Sequence, residues 1–199
     1  LILGQKTSCH AVTEPDAGSN LFDMKTNAVQ KGDKWILNGH KAYITNPFEA
    51  DIVNVLAITD PGIGKKSFSY FQFESKEYLG KGFKHGRINR TMFDDGLTGE
   101  LHFENLELPE SAMIGNRGQG FEIALTSINW TRTRRGGMCS AWSKLLIDKT
   151  LDKYPILRNL FGYDDKFRYD AEEATNKYWN NVNNYLKSQD YLRSEALLD

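Results

Sequence analysis

Cysteine is scarce in this chain, and neither sign of charge is in excess. The 199 residues include only two cysteines, Cys9 and Cys139, which provide neither a disulfide framework nor a cysteine-based metal cluster. A reducing compartment is therefore expected. With 25 basic and 26 acidic residues, the net charge of -1 excludes nucleic acid as a whole-surface partner. No apolar run is long enough to span a bilayer, so no membrane span is predicted.

Two further classes of feature are missing from the sequence. The first residues, Leu1-Ile2-Leu3-Gly4, are too short and too uncharged to be a secretory signal, so the protein is not expected to be secreted. The four histidines show no metal-ligand spacing among themselves or with the cysteines, so no metal is predicted. These histidines are His10, His40, His85 and His102.

The most informative stretch consists of a polar loop and the segment that follows it. Pro15 and Gly18 predict that a strand ends near residue 12 and continues as a loop with exposed backbone N–H groups. Residues 35–45 are predicted to form a β-hairpin whose turn is Asn38-Gly39. Two such pieces of sheet can share a ligand, although the spacing alone is more typical of an ordinary connection between strands.

The remaining patterns predict a β domain followed by helices. Residues 51–60 form a near-continuous apolar run typical of a buried strand, and residues 67–73, 99–103 and 106–108 favour further short strands. Many short strands with regular turns indicate an antiparallel β-barrel or sandwich. From Phe121 to about Tyr154 apolar residues recur at helical spacing until Pro155 interrupts them, and a second amphipathic helix is predicted over 167–185.

Three motifs carry a resemblance to the acyl-CoA dehydrogenase family. They are Thr13-Glu14-Pro15-x-Ala17-Gly18-Ser19, Asn38-Gly39-x-Lys41-x-Tyr43-Ile44-Thr45-Asn46, and Tyr154-x-x-x-Arg158-x-x-Phe161-Gly162. The first two resemble the paired signature of the family in both order and separation. The third is similar to a family motif at the end of the first long helix, with Pro155 as an unusual member.

The resemblance implies a multidomain α and β architecture. Residues 1–118 would form the family's middle β domain, and residues 119–199 would form part of a C-terminal helical-bundle domain. Because the resemblance begins almost at residue 1, the sequence is expected to be a fragment that lacks an N-terminal helical domain and the rest of the bundle. Beyond Gly162 the resemblance fades.

The resemblance also implies a chemistry, in which a carboxylate removes the α-proton of an acyl thioester while the β-hydride passes to FAD. The product would be a trans-2-enoyl thioester carried by CoA or by an acyl carrier protein. The positions implied for cofactor binding are His10, Val12, Thr13, Gly18, Ser19, Tyr43, Thr45, Arg158 and Phe161. Ser19 and Arg132 are the positions implied for the substrate, with Arg134 as an alternative to Arg132. A solvated helix face is equally consistent with these arginines.

No catalytic residue is assigned by the sequence. Most relatives carry the catalytic glutamate in a distal helical segment, and a minority carry it just before the arginine on the first long helix. Thr131 occupies that second place, and a threonine hydroxyl is not a base near neutral pH. The alternative to a working dehydrogenase is therefore a non-catalytic β module that retains a ligand-binding or subunit-binding surface. An electron-transfer partner, a homo-oligomer, and a cytoplasmic or mitochondrial-matrix location are further expectations.

Overall fold

The computed structural model describes residues 3–89 and 97–156, together with the single positions Glu173 and Asn180. The chain divides into two compact units, Leu1–Thr126 and Ser127–Asp199. The first unit contains the sheet and the start of a long helix, and the candidate site lies within it. The expected domain limits, 1–118 and 119–199, stay a prediction.

The described residues form eight strands and two helices. The strands are β1 (Ser8–Ala11), β2 (Asn27–Lys31), β3 (Lys34–Thr45), β4 (Ile52–Ile58), β5 (Phe68–Glu74), β6 (Phe83–Asn89), β7 (Thr98–Pro109) and β8 (Met113–Ile114). The helices are the single turn α1 (Ser75–Tyr78) and the long α2 (Gly120–Lys153). Short 3-10 turns lie at Leu21–Asp23, Gly64–Ser67 and Glu110–Ala112.

All eight strands belong to one mixed sheet with the order β6-β7-β3-β2-β4-β5-β8, and β1 pairs with β4. Most pairs are antiparallel, but β1 runs parallel to β4 over Ser8–Ala11. The predicted β domain is therefore confirmed, while the sheet is mixed rather than wholly antiparallel. Among the described residues the pairing does not join β6 to β8, so closure into a barrel or a sandwich stays a prediction.

Strand β4 lies at the centre of the core, as its apolar run predicts. Val53, Val55 and Ala57 on one face belong to a large cluster that also contains Trp35 and Phe71. Leu56 on the other face belongs to a second cluster with Phe68, Tyr70 and Ala124. A strand that is buried on both faces has a nearly continuous apolar sequence, because polar and apolar residues alternate only where one face of the sheet meets water.

The predicted hairpin over 35–45 is wrong. Residues Lys34–Thr45 form one continuous strand, and the turn between β2 and β3 lies at Gly32 and Asp33. Asn38-Gly39 falls at an irregularity in the pairing with β7, between Leu37 and Gly39. A Cβ atom at position 39 would overlap the Thr26 side chain, so the glycine serves close packing instead of a turn.

The first long helix is confirmed. It begins at Gly120 and ends at Lys153, shortly before Pro155. Glycine is required at its first position, since a Cβ at Gly120 would overlap the backbone of Ser69. The second predicted helix, over 167–185, lies outside the described residues apart from Glu173 and Asn180, which are helical. Neither described helix has the combination of length and apolar character that a membrane span requires.

Candidate functional site

The loop that follows β1 is a compact turn. Two backbone hydrogen bonds close it, because Glu14 N donates to Ala17 O at 2.9 Å and Ala17 N donates to Glu14 O at 3.3 Å. Ala17 is buried beneath the turn, while Gly18 and Ser19 are exposed. The loop therefore presents its glycine and serine to solvent from a fixed backbone.

A buried ion pair holds this loop against β3. Lys41 Nζ lies 2.9 Å from Glu14 Oε1, and the two side chains are 0% and 4% exposed. Lys41 Nζ also donates to Val12 O at 2.9 Å. Charged side chains this deeply buried require partners that satisfy them, and here the partners belong to two different elements. The ion pair thus fixes the start of the loop relative to the strand.

Further hydrogen bonds satisfy the Glu14 carboxylate. It accepts from Lys25 N at 2.8 Å and from Thr26 N at 3.0 Å. Burial lowers the pKa of Lys41 to about 8, an effect that Glu14 opposes. Burial alone would raise the pKa of Glu14, but the Lys41 charge and the hydrogen bonds bring it below its ordinary value. Both groups are therefore ionised at neutral pH.

The sequence analysis did not identify this pair as a unit, although both residues lie inside the quoted motifs. Lys41 is a charged residue in a strand and is followed by Ala42 and Ile44, which are buried. A charged residue at a core-facing position signals a buried partner. Nothing along the chain indicates that the partner is Glu14, because the pairing depends on how the loop folds back.

The end of β3 lies beside the loop. Ala42 N donates to Thr13 O at 2.9 Å, which places Tyr43 next to the residues that follow β1. The pairing of β3 with β7 is irregular between Lys41 and Ile44, and Tyr43 has a φ of 58° in this irregularity. A left-handed conformation is unusual for an aromatic residue, and such outliers cluster at functional sites.

Thr13 thus lies beside the segment of β3 that carries Tyr43 and Thr45, and these three residues form a polar face. Tyr43 is 64% exposed, Thr45 and Ser19 are exposed, and Thr13 is half-buried. Their hydroxyl groups make no hydrogen bond to the residues that the structure describes. A face that joins an aromatic ring to hydroxyl groups free to donate suits a planar heteroaromatic ligand with polar edges. The residues present therefore fit the flavin that the motifs imply.

His10 and Val12 flank this face. His10 Nδ1 lies 2.9 Å from the Tyr70 hydroxyl, and partial burial of the ring lowers the pKa of His10. Val12 is half-buried and packs against the cluster that contains Tyr70. At neutral pH the imidazole is therefore uncharged and held in place by Tyr70.

The remaining predicted site residues belong to the second unit. Arg132 is exposed on α2. Thr131 donates its hydroxyl hydrogen to Ser127 O at 3.0 Å. Arg158 and Phe161 lie outside the described residues. Of the predicted set, the structure thus brings Thr13 next to the end of β3 that carries Tyr43 and Thr45, and the binding roles stay a prediction.

The middle-domain model of the acyl-CoA dehydrogenase family matches residues 9–106. The chain is 39% identical over 143 residues to cyclohex-1-ene-1-carbonyl-CoA dehydrogenase of Geobacter metallireducens, covering 71% of this chain and 36% of that protein. It is 38% identical over 166 residues to an acyl-CoA dehydrogenase of Bacillus subtilis, covering 81% of this chain and 42% of that protein.

Solved structures show the same likeness. Butyryl-CoA dehydrogenase from Megasphaera elsdenii superposes with a TM-score of 0.62 at 33% identity, over 65% of this chain and 34% of that one. The chain thus spans 36% and 42% of the lengths of the two curated relatives above.

Proposed function

This chain belongs to the acyl-CoA dehydrogenase family, and we propose from that membership that the protein is an FAD-dependent dehydrogenase of acyl thioesters. The substrate would be an acyl-CoA or acyl-carrier-protein thioester, and the product its trans-2-enoyl form. FAD, when bound, supplies the acceptor for the β-hydride. The observation that carries the proposal is the face on which Tyr43, Thr13 and Thr45 come together.

Each residue of the face has a role that its chemistry allows. The Thr13 and Thr45 hydroxyls, which have no partner among the described residues, would donate hydrogen bonds to the edge of the isoalloxazine ring. The exposed Tyr43 ring would lie beside it, with His10 and Val12 completing the contact surface. Gly18 and Ser19 would face the diphosphate from the loop, and Ser19 would also approach the thioester.

The Glu14–Lys41 pair would act as a positioning device for this surface. Lys41 donates to Val12 O, and Ala42 N donates to Thr13 O, so the loop and the end of β3 are tied together by two consecutive residues of β3. Preorganised donors do not have to be reoriented when the ligand binds. A loss of the pair would therefore weaken cofactor binding without removing any contact to the cofactor.

The family resemblance also implies roles for residues of the second unit. Arg132 would bind the phosphates of the thioester carrier, and Arg158 with Phe161 would reach a flavin on a neighbouring subunit. Trp130, Trp142 and Leu146 of α2 are at least 49% exposed, which supports a homo-oligomer. We also propose that the protein passes electrons to a partner protein and that it is located in the cytoplasm or the mitochondrial matrix.

A second candidate is a flavin-binding module without catalysis. The specific observation in its favour is Thr131, at the place where some relatives carry their base. Its hydroxyl hydrogen is donated to Ser127 O, and a threonine hydroxyl does not accept an α-proton near neutral pH. We therefore assign no catalytic base to the described residues.

An anaerobic spectroscopic titration tests both candidates. The purified 199-residue chain is mixed with FAD, its visible spectrum is recorded, and a panel of saturated acyl-CoA thioesters is then added. Bound flavin that bleaches on addition of a thioester is the result expected of the dehydrogenase. Bound flavin that never bleaches would support the non-catalytic module, and a chain that leaves the FAD spectrum unchanged would contradict both.

A further inference from the structure

A cluster of histidine and glutamate side chains lies on the part of the sheet formed by β3, β6 and β7. His40 of β3 pairs directly with His102 of β7, and Glu100 precedes His102 by two positions on the same strand. Residues two apart in a strand point to the same face, so all three side chains converge. The spacing along the chain does not show this arrangement, because strand pairing brings the two histidines together.

The three ligand atoms are close enough to share one ion. His40 Nε2 lies 3.4 Å from Glu100 Oε2, and His102 Nε2 lies 3.7 Å from the same oxygen. One ligand atom of each residue lies within 4.8 Å of the others. Metal–ligand bonds of about 2.0–2.1 Å place the ligands of a tetrahedral zinc ion about 3.3 Å apart. The two histidine–glutamate separations are close to that value.

The cluster also contains an unsatisfied group. His40 Nε2 is buried and makes no hydrogen bond to the described residues, since its 3.4 Å contact with Glu100 lacks hydrogen-bond geometry. Buried polar nitrogen atoms are normally hydrogen-bonded or bound to a metal, so this one signals a missing partner. The side chains of His40, Glu100 and His102 are 37%, 21% and 29% exposed, which leaves an ion access from solvent.

The neighbouring strand leaves room for the cluster. A Cβ atom at Gly86 of β6 would overlap the imidazole of His102 and the side chain of Glu100. The two imidazole rings are stacked, with centroids 4.2 Å apart and planes 16° apart. Binding of one ion to both rings therefore requires them to tilt toward a common point, which is a rotation about the soft terminal torsion of histidine.

We propose that His40, Glu100 and His102 form a binding site for a divalent transition-metal ion, with two imidazole nitrogens and one carboxylate oxygen as ligands. Such a ligand set suits Zn²⁺ and leaves a fourth position for water. None of the three residues belongs to the proposed flavin face. The site is therefore separate from the dehydrogenase chemistry, and either proposal can fail without the other.

Calorimetric titration of the tag-free 199-residue chain with Zn²⁺ tests this proposal. Cys139 is exposed and could bind zinc by itself, so every variant carries Cys139→Ser. We expect one ion per chain. His102→Gln and Glu100→Gln should each weaken binding by at least about tenfold, since loss of even an outer-shell partner costs about 10- to 100-fold.

His85→Gln is the matched control. His85 also has a buried Nε2 without a described partner and lies on β6, but it does not belong to the group of three. It should bind Zn²⁺ as the parent does, and the unfolding temperatures without metal report whether each variant is folded. Absence of a one-to-one complex, or equal weakening in His85→Gln and Glu100→Gln, would overturn the proposal. FAD binding should be the same in all these variants.

Discussion

At the scale of single residues, the Glu14–Lys41 pair is the feature on which the candidate site depends most. Both charges are almost completely buried, and their partners come from the loop, from β3 and from the segment before β2. A buried pair is not itself a strong source of stability, because desolvation offsets the attraction. We expect the pair to contribute specificity instead, because the observed arrangement of loop and strand satisfies both charges.

Removal of both members should cost less than the sum of the two single removals. Lys41→Met and Glu14→Gln should each lower the free energy of unfolding by about 3–5 kcal/mol, because each leaves a buried charge uncompensated. The double variant should lose less than the sum of the two. Denaturant unfolding of the three variants measures this coupling.

The exposed ion pair Lys25–Asp16, at 2.7 Å, provides the control, since Lys25→Met removes a comparable contact that is open to solvent. It should change the unfolding midpoint far less than Lys41→Met does. Equal losses in the two lysine variants would show that the buried pair does not organise the loop.

The pair also predicts a pH dependence. The pKa of Glu14 is lower in the folded protein than its ordinary value of about 4.3, so its contribution to stability is present above that pH and is lost as the pH falls through the folded pKa. The difference in unfolding free energy between the parent and Glu14→Gln should therefore shrink as the pH falls below about 4.

Chemical unfolding of both proteins at a series of pH values gives this difference directly. Other carboxylates with lowered pKa values, including Asp51 and Asp60, are common to both proteins and cancel in the comparison. A difference that stays the same down to pH 3 would mean that Glu14 is not ionised in the native state.

At the scale of elements, the sequence predicted the buried strand β4 and the long helix α2, because each has a continuous local pattern. It misplaced the turn at Asn38-Gly39, whose local preference is overridden by the pairing of β3 with β2 on one side and β7 on the other. Strand β7 was predicted as two pieces, and β6 was not predicted. The strand pattern of β6 is interrupted by Gly86, where a larger residue would overlap the side chains of Glu100 and His102.

The sequence also predicted only part of the candidate site. The loop after β1 and the residues at the end of β3 were located by their motifs, and the structure places Thr13 beside the residue before Tyr43. The Glu14–Lys41 pair and the histidine–glutamate cluster were not predicted as units. Both depend on contacts between residues distant in the chain, and spacing within one segment contains no information on them.

The role of Gly39 as a packing residue is testable. Gly39→Ala should lower the unfolding free energy by about 1–3 kcal/mol, because the added methyl group overlaps Thr26 and forces a shift between neighbouring segments. Gly18→Ala, measured without FAD, is the control, since a Cβ at Gly18 meets nothing within 4 Å. If the two variants unfold at the same denaturant concentration, close packing at Gly39 is not what excludes a side chain.

At the scale of the whole molecule, the sheet supplies the frame, and the candidate site lies where β1 and β3 end. The loop 12–19 and the end of β3 derive from strands whose other faces are buried in the core. Sites built on rigid elements keep their donors oriented in the absence of ligand. We therefore expect the flavin face formed by Thr13, Tyr43 and Thr45 to exist before any cofactor binds.

The measurement that tests this account most directly is the affinity of the chain for FAD, determined from the quenching of flavin fluorescence. Thr13→Val and Thr45→Val should each weaken binding by about two- to tenfold, the equivalent of one lost hydrogen bond. Ser111→Ala, an exposed hydroxyl in a 3-10 turn outside the face, should leave the affinity unchanged. FAD affinity that is the same in all three variants as in the parent, or absence of FAD binding by the parent, would contradict the proposed flavin site.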